Sequence, residues 1–304
     1  MPTTIHTASR PALRAALPAV ALLTVVWGST WPLFPYAVRE VSVLTFRAVS
    51  VFAAGAVLLA FAAWRGQSLK MPRRAWGPVT AASLVYLFVW NLAGTYAALL
   101  IPSGQAAVLG YTMPLWAAVA AWAFLGQRLG RRMLAALALG VVGIGILIWR
   151  GADTYANAPL GFGLGLLAGL AWALGTLILK QWPVPVPATV LTGWQLLIAS
   201  APIALAAIWS GDRNWFVPSW PSIAVIAYIT LVPMAIGNVA WFRIVGLLPV
   251  NVAGLTSVMV PVVAMVSGAI VHAEPLGAAQ LVAIACSAGS LMLALLRPSA
   301  ASRR

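Results

Sequence analysis

Asn91 to Gly130 reads NLAGTYAALLIPSGQAAVLGYTMPLWAAVAAWAFLGQRLG, and Asn238 to Gly277 reads NVAWFRIVGLLPVNVAGLTSVMVPVVAMVSGAIVHAEPLG. Laid over each other without a gap, Asn91 meets Asn238, Pro102 meets Pro249, Ala106 meets Ala253, Pro114 meets Pro261, and Leu129-Gly130 meets Leu276-Gly277. All these pairs share one offset, 147 residues (91 to 238, 130 to 277). The same offset carries Gly28-Ser29 onto Gly175-Thr176 and Leu44-Thr45 onto Leu191-Thr192. The chain reads as two copies of one unit, and a repeat of this kind constrains the architecture before any single residue does. The copies are expected over about 12–150 and 159–297, within a single transmembrane domain over 1–304.

Composition sets the class. Of the 304 residues, 62% are hydrophobic and 7% charged, and the mean hydropathy is +0.98. A soluble domain carries about 25% charged residues, so this chain points to a polytopic membrane protein. The net charge of +14 lies in short clusters between apolar runs. It reads as a topology signal, with membrane lipid and a small-molecule substrate as partners and no nucleic acid. The single cysteine, Cys286, lies in an apolar run and has no intramolecular disulfide partner.

A spanning helix needs about 20 mostly apolar residues. Ten such runs occur, near 13–36, 42–63, 76–98, 104–124, 132–149, 160–180, 188–209, 221–243, 251–271 and 276–296. The first follows Arg10 and Arg14 but is too long for a signal-peptide core. It reads as a retained helix. With the N-terminus in the cytoplasm, 14 of the 18 basic residues fall in inner segments, Arg39, Arg150 and Arg213 fall in outer loops, and Arg47 lies inside a run. The positive-inside rule then places both termini in the cytoplasm. Each copy holds five spans, an odd number, so the second copy crosses in the opposite sense. The expected fold is therefore all-α integral membrane, ten transmembrane helices as two inverted five-helix repeats. That symmetry is common in secondary transporters, because exchanging the conformations of the halves turns an inward-open state into an outward-open one.

Several motifs resemble one family. Trp27–Pro32 (WGSTWP) resembles the first-helix motif of the drug/metabolite transporter superfamily, EamA-type ten-helix exporters. Phe46-Arg47-Ala48 resembles its second-helix arginine, and Pro102 through Gly145, with Pro114, resembles its most recognisable stretch. Where the family commonly has Gly-Glu-Arg-Leu, the first copy has Gln127 after Gly126, and the second has Ala273-Glu274-Pro275-Leu276. The resemblance spans nearly the whole chain and is closest to the YddG type, bacterial inner-membrane exporters of aromatic and other neutral amino acids. It implies a cavity surrounded by helices 1, 3, 4, 6, 8 and 9, and alternating access by uniport or exchange. A lipophilic-drug or other metabolite exporter of the same fold is the alternative.

The acidic residues are Glu40, Asp153, Asp212 and Glu274, all in loops or at helix ends. Proton-coupled transporters commonly relay through intramembrane Asp, Glu or His, so facilitated diffusion or exchange is expected. Lys70 and Lys180 lie in no phosphate-binding loop, and no His, Cys, Asp or Glu spacing suggests a metal site or a cofactor. Ser267 with His272 lacks the helical register of a catalytic pair. An enzyme is not expected.

The candidate site comes from polar and aromatic residues at mid-helix. Trp27 and Thr30, Asn91 and Thr95, Trp172 and Thr176, and Asn238 and Trp241 each stand three or four apart, on one helical face. Either interhelical hydrogen bonding or cavity lining accounts for them. Tyr111 and Met259 complete a lining suited to a zwitterion or neutral solute, with amide and hydroxyl donors for a carboxylate. Pro114 and Pro261, read as mid-helix prolines, each free a backbone carbonyl and mark helices four and nine as cavity walls. Arg47 has two readings. It is an anchor that snorkels to the interface with Glu40 as partner, or it is a gate or carboxylate-binding group.

Overall fold

The long apolar runs fold as helices that satisfy their own backbone, as a hydrocarbon environment demands. The computed structural model describes residues 10–126, 130–210, 218–272 and 277–295. Gln127, Arg128, Leu129, Asp212, Arg213, Glu274, His6 and the C-terminal arginines, on which sequence expectations rest, lie outside the described residues. Among the described residues every regular element is a helix. Nine are long and apolar enough to cross a membrane: α1 (Arg14–Ala37), α2 (Val43–Trp64), α3 (Arg73–Leu100), α4 (Gln105–Phe124), α5 (Arg131–Arg150), α6 (Pro159–Gln181), α7 (Ala188–Trp209), α8 (Trp220–Leu247) and α9 (Val252–Val271). A tenth helix, α10 (Ala278–Leu295), carries a shorter apolar stretch, Leu281–Leu293.

Local chemistry sets the helix ends. The Ser42 side chain caps α2 by accepting from the Thr45 backbone N–H at 3.1 Å. Pro102 and Pro249 push the residues before them into extended geometry: Ile101 has φ −133° and ψ 159°, and Leu248 has φ −117° and ψ 152°. So α3 and α8 stop at Leu100 and Leu247. Gly126, at φ 61°, ends α4 in the left-handed conformation that favours glycine.

Two irregularities recur at the 147-residue offset. Inside α3, Ser83–Phe88 forms a π-helical turn, and inside α8, Thr230–Gly237 does the same. Each wide turn begins at a hydroxyl that donates four residues back: Ser83 to the Val79 carbonyl (2.6 Å) and Thr230 to the Ile226 carbonyl (2.7 Å). Such back-bonding competes with the regular ladder and bends helices. The second irregularity lies in α4 and α9. The first is interrupted at Tyr111-Thr112, between Ser103–Gly110 and Met113–Leu125. The second passes through a tight turn at Ser257–Met259 before Val260–His272. Pro114 and Pro261 therefore sit in the first turn of a new helical segment, where a missing N–H costs nothing. The expectation that they interrupt continuous helices is corrected, because the break precedes each proline.

Small residues set the packing. In α6, Gly161, Gly165 and Gly169 lie so close to α3 and α4 that a Cβ would meet Leu100 and Ile101, then Leu109, then the Gly110 carbonyl and Thr112. These glycines, four residues apart on one face, make a close helix contact. Packing of α2 on α7 is equally close at Gly55 and Gly193, and α5 meets α10 through Gly143 against Cys286. Ser290 of α10 donates to the Ala136 carbonyl of α5 at 2.7 Å.

Candidate functional site

The α3 and α8 turns bring two asparagines to the centre of the bundle. Asn91 donates its amide nitrogen to the Leu87 carbonyl, and Asn238 donates to the Met234 carbonyl, both at 2.7 Å. Both acceptor carbonyls lie within the π-helical turns. These bonds orient the two amides alike. Their oxygens, Oδ1 of Asn91 and Oδ1 of Asn238, are buried and have no hydrogen-bond partner.

Asn91 and Asn238 line a cavity of ≈ 50 Å³ between α1, α2, α3, α4 and α8. That is room for a few water molecules. Its walls are mainly aromatic: Trp27, Trp31, Phe34, Tyr86, Trp90 and Tyr111, with Thr30, Arg47 and Gly94 between them. Trp172 of α6 stands behind these rings. It stacks on Tyr86 (5.8 Å, 9° between planes) and meets Trp27, Trp90, Tyr111 and Trp241 edge-on at 4.8–5.5 Å. Offset and edge-to-face pairs at these distances contribute about 0.5–1.5 kcal/mol each beyond area burial. The indole N–H groups of Trp172 and Trp241 are buried without acceptors, whereas Trp27 donates to the Pro233 carbonyl at 3.0 Å.

Arg47 is 3% exposed, so it does not snorkel to the interface. Its Nε donates to Thr95 Oγ1 at 2.6 Å, and that hydroxyl donates to the Asn91 carbonyl at 2.6 Å. The guanidinium lies over the rings of Phe34 and Phe46, 4.7 and 4.8 Å from their centroids. Cation–π attraction of this kind contributes about 2 kcal/mol when desolvated. Glu40 is not its partner. That carboxylate accepts from the backbone N–H (2.7 Å) and hydroxyl (2.9 Å) of Ser219, at the start of α8. The Ser219 N–H, then the Ser222 and Ser219 hydroxyls, hold Glu40 below the usual carboxylate range. Among the described residues no carboxylate pairs with Arg47.

Of the sequence-predicted residues, Trp27, Thr30, Arg47, Asn91, Tyr111 and Asn238 line the cavity. Trp172 and Trp241 support it from behind. Thr95 holds Arg47, and Thr176 donates to the Trp172 carbonyl at 2.8 Å. Pro114, Met259 and Pro261 do not line it; Pro114 packs against Gly254. Of the six helices the resemblance implied, α1, α3, α4 and α8 line the cavity, α6 and α9 contribute no lining residue, and α2 enters through Arg47. Trp31, Phe34, Tyr86 and Trp90 went unread in the sequence. Their signal was partial: Trp27–Trp31 and Tyr86–Trp90 are four-residue steps that put two rings on one face, but Tyr86–Trp90 shares no three- or four-residue step with Asn91.

The model of the EamA-like transporter family matches the chain twice, at residues 15–149 and 159–296. The chain is 24% identical to the uncharacterized transporter YvbV of Bacillus subtilis, over 88% of its own length and 86% of that protein. It is 27% identical to the uncharacterized inner membrane transporter YedA of Escherichia coli, over 82% and 80%. It is 29% identical to a probable amino-acid metabolite efflux pump of Salmonella typhimurium, over 56% and 58%. A solved crystal structure superposes with a TM-score of 0.74 at 21% identity, covering 95% of this chain and 99% of the other. That likeness bears on the fold alone.

Proposed function

The chain belongs to the EamA-like transporter family, and from that premise we propose that it exports small neutral or aromatic amino acids, or similar metabolites, by alternating access. The observation that carries this reading is the central cavity. Aromatic rings wall it, Arg47 supplies one buried cation without an acidic partner among the described residues, and unpartnered polar atoms surround it. Aromatic faces accept apolar or aromatic side chains, and the buried guanidinium suits a carboxylate. The efflux-pump name of one relative agrees with this substrate class.

The same proposal includes ten membrane-spanning helices in two inverted five-helix repeats, about 12–150 and 159–297. Support comes from the doubled family match and from the π turns and broken helices that recur at one offset. The protein sits in the bacterial inner membrane, as YedA does by name, with both termini cytoplasmic by the distribution of basic residues. Transport is by uniport or exchange, since the sequence places no acidic residue at membrane depth. Efflux from proteoliposomes loaded with a mixture of the common amino acids, with and without a pH gradient, tests it. Selective release of neutral or aromatic species, equal in both conditions, is expected. Release of lipophilic drugs alone, or uphill flux driven by the gradient, overturns it.

A further inference from the structure

The orphaned polar atoms around the cavity divide by sign. Asn91 and Asn238 have spent their amide N–H groups on backbone carbonyls, so what remains on each is an acceptor. This reverses the sequence expectation, in which these amides donate to a carboxylate. A buried acceptor left unpaired is costly, and two of them at one cavity favour a ligand that brings donors. Arg47 contributes the opposite chemistry, a guanidinium with no acidic partner among the described residues.

Thr95 ties the two groups together. Its hydroxyl accepts from Arg47 Nε and donates to the main-chain carbonyl of Asn91. The cationic group and both amide-bearing residues line the same cavity. The cavity of ≈ 50 Å³ suits a small head group, one in which a single carbon carries both the ammonium and the carboxylate.

We propose that this cavity binds the α-amino acid head group in one polarity, the ammonium on the amide oxygens of Asn91 and Asn238 and the carboxylate on Arg47. The inference rests on the exporter reading and names the recognition chemistry of that same site.

The test titrates the purified full-length chain, by tryptophan fluorescence at neutral pH, with L-phenylalanine, with phenethylamine, which lacks the carboxylate, and with 3-phenylpropionate, which lacks the ammonium. The wild type is expected to bind phenylalanine about tenfold or more tightly than either analogue, because each loses a charge-assisted contact. Arg47→Gln is expected to close the gap to phenethylamine and keep the gap to 3-phenylpropionate. Asn91→Leu with Asn238→Leu is expected to do the reverse. The wild-type ranking stands as a test even where a variant fails to fold. Equal binding of phenylalanine and 3-phenylpropionate overturns the polarity and leaves the exporter reading standing, as does an asparagine variant that closes the phenethylamine gap instead. Binding of none of the three overturns both.

Discussion

Positions 147 apart share a frame but not a chemistry. Asn91 and Asn238 make the same bond to the residue four back, after the same kind of π turn. Around them the side chains diverge. Arg47 stands where the other copy has Trp194, Tyr86 where it has Pro233, Trp90 where it has Gly237, Thr95 where it has Phe242, and Tyr111 where it has Val258. The cavity takes its cation and all its wall aromatics from the first copy, and Ile229, Pro233, Met234 and Asn238 from the second. Backbone irregularities that let helices bend are kept in both halves, whereas side chains suited to recognition are concentrated in one.

The largest effect expected from this asymmetry is at Arg47. Arg47→Gln should lower amino-acid counterflow in proteoliposomes about 10- to 100-fold, the range for losing hydrogen bonds to a charged group. Trp194→Phe, at the equivalent position, should stay within about threefold. Equal losses would break the comparison.

Glycines give the next contrast. A Cβ at Gly237 would run into the Trp27 indole, whereas one at Gly94 meets only Ala168 Cβ, at 4.0 Å. Gly237→Ala should cost about 1–3 kcal/mol by overpacking and lower the thermal midpoint in detergent by several degrees. Gly94→Ala should leave the midpoint unchanged or raise it slightly.

Thr95→Val removes the hydroxyl between Arg47 and Asn91 and nothing else. Substrate affinity should fall about three- to tenfold, with protein yield and monodispersity kept, as read in the same fluorescence titration.

The smallest effect is at the surface contact between the halves, Glu40 with Ser219. Its folded pKa is lowered, first by the Ser219 backbone N–H. The stability it contributes is thus present above its ordinary value of 4.5 and is lost as pH falls through the lower folded value. Thermal unfolding in an acid series should show wild type losing its advantage over Glu40→Gln in that window. An advantage that persists to the lowest pH would contradict the assignment.

Much of this was legible in the sequence. The apolar runs, the 147-residue offset and the asparagine pair lie on the surface of the text, because hydrophobic length and self-similarity are one-dimensional properties. Arg47 stood out as a charge within an apolar run. Its environment was not legible: the rings of Phe34 and Phe46 and the Thr95 hydroxyl meet it only after three helices pack. Pro114 and Pro261 were misread as cavity walls because spacing assumes unbroken helices. The breaks at Tyr111-Thr112 and Ser257–Met259 turn both prolines into helix starters. Tyr86 lies inside the Ser83–Phe88 π turn, and Trp90 is adjacent to Asn91 in sequence, so three- and four-residue spacing placed neither beside Asn91.

The most direct test of the central claim combines one residue from the aromatic wall with one from the asparagine pair. Trp27→Ala with Asn91→Ala is measured for amino-acid efflux and selectivity in proteoliposomes at matched protein density. The account predicts a strong loss of efflux and an altered rank order among neutral amino acids. Unchanged efflux with unchanged selectivity would place recognition elsewhere in the molecule and contradict the account.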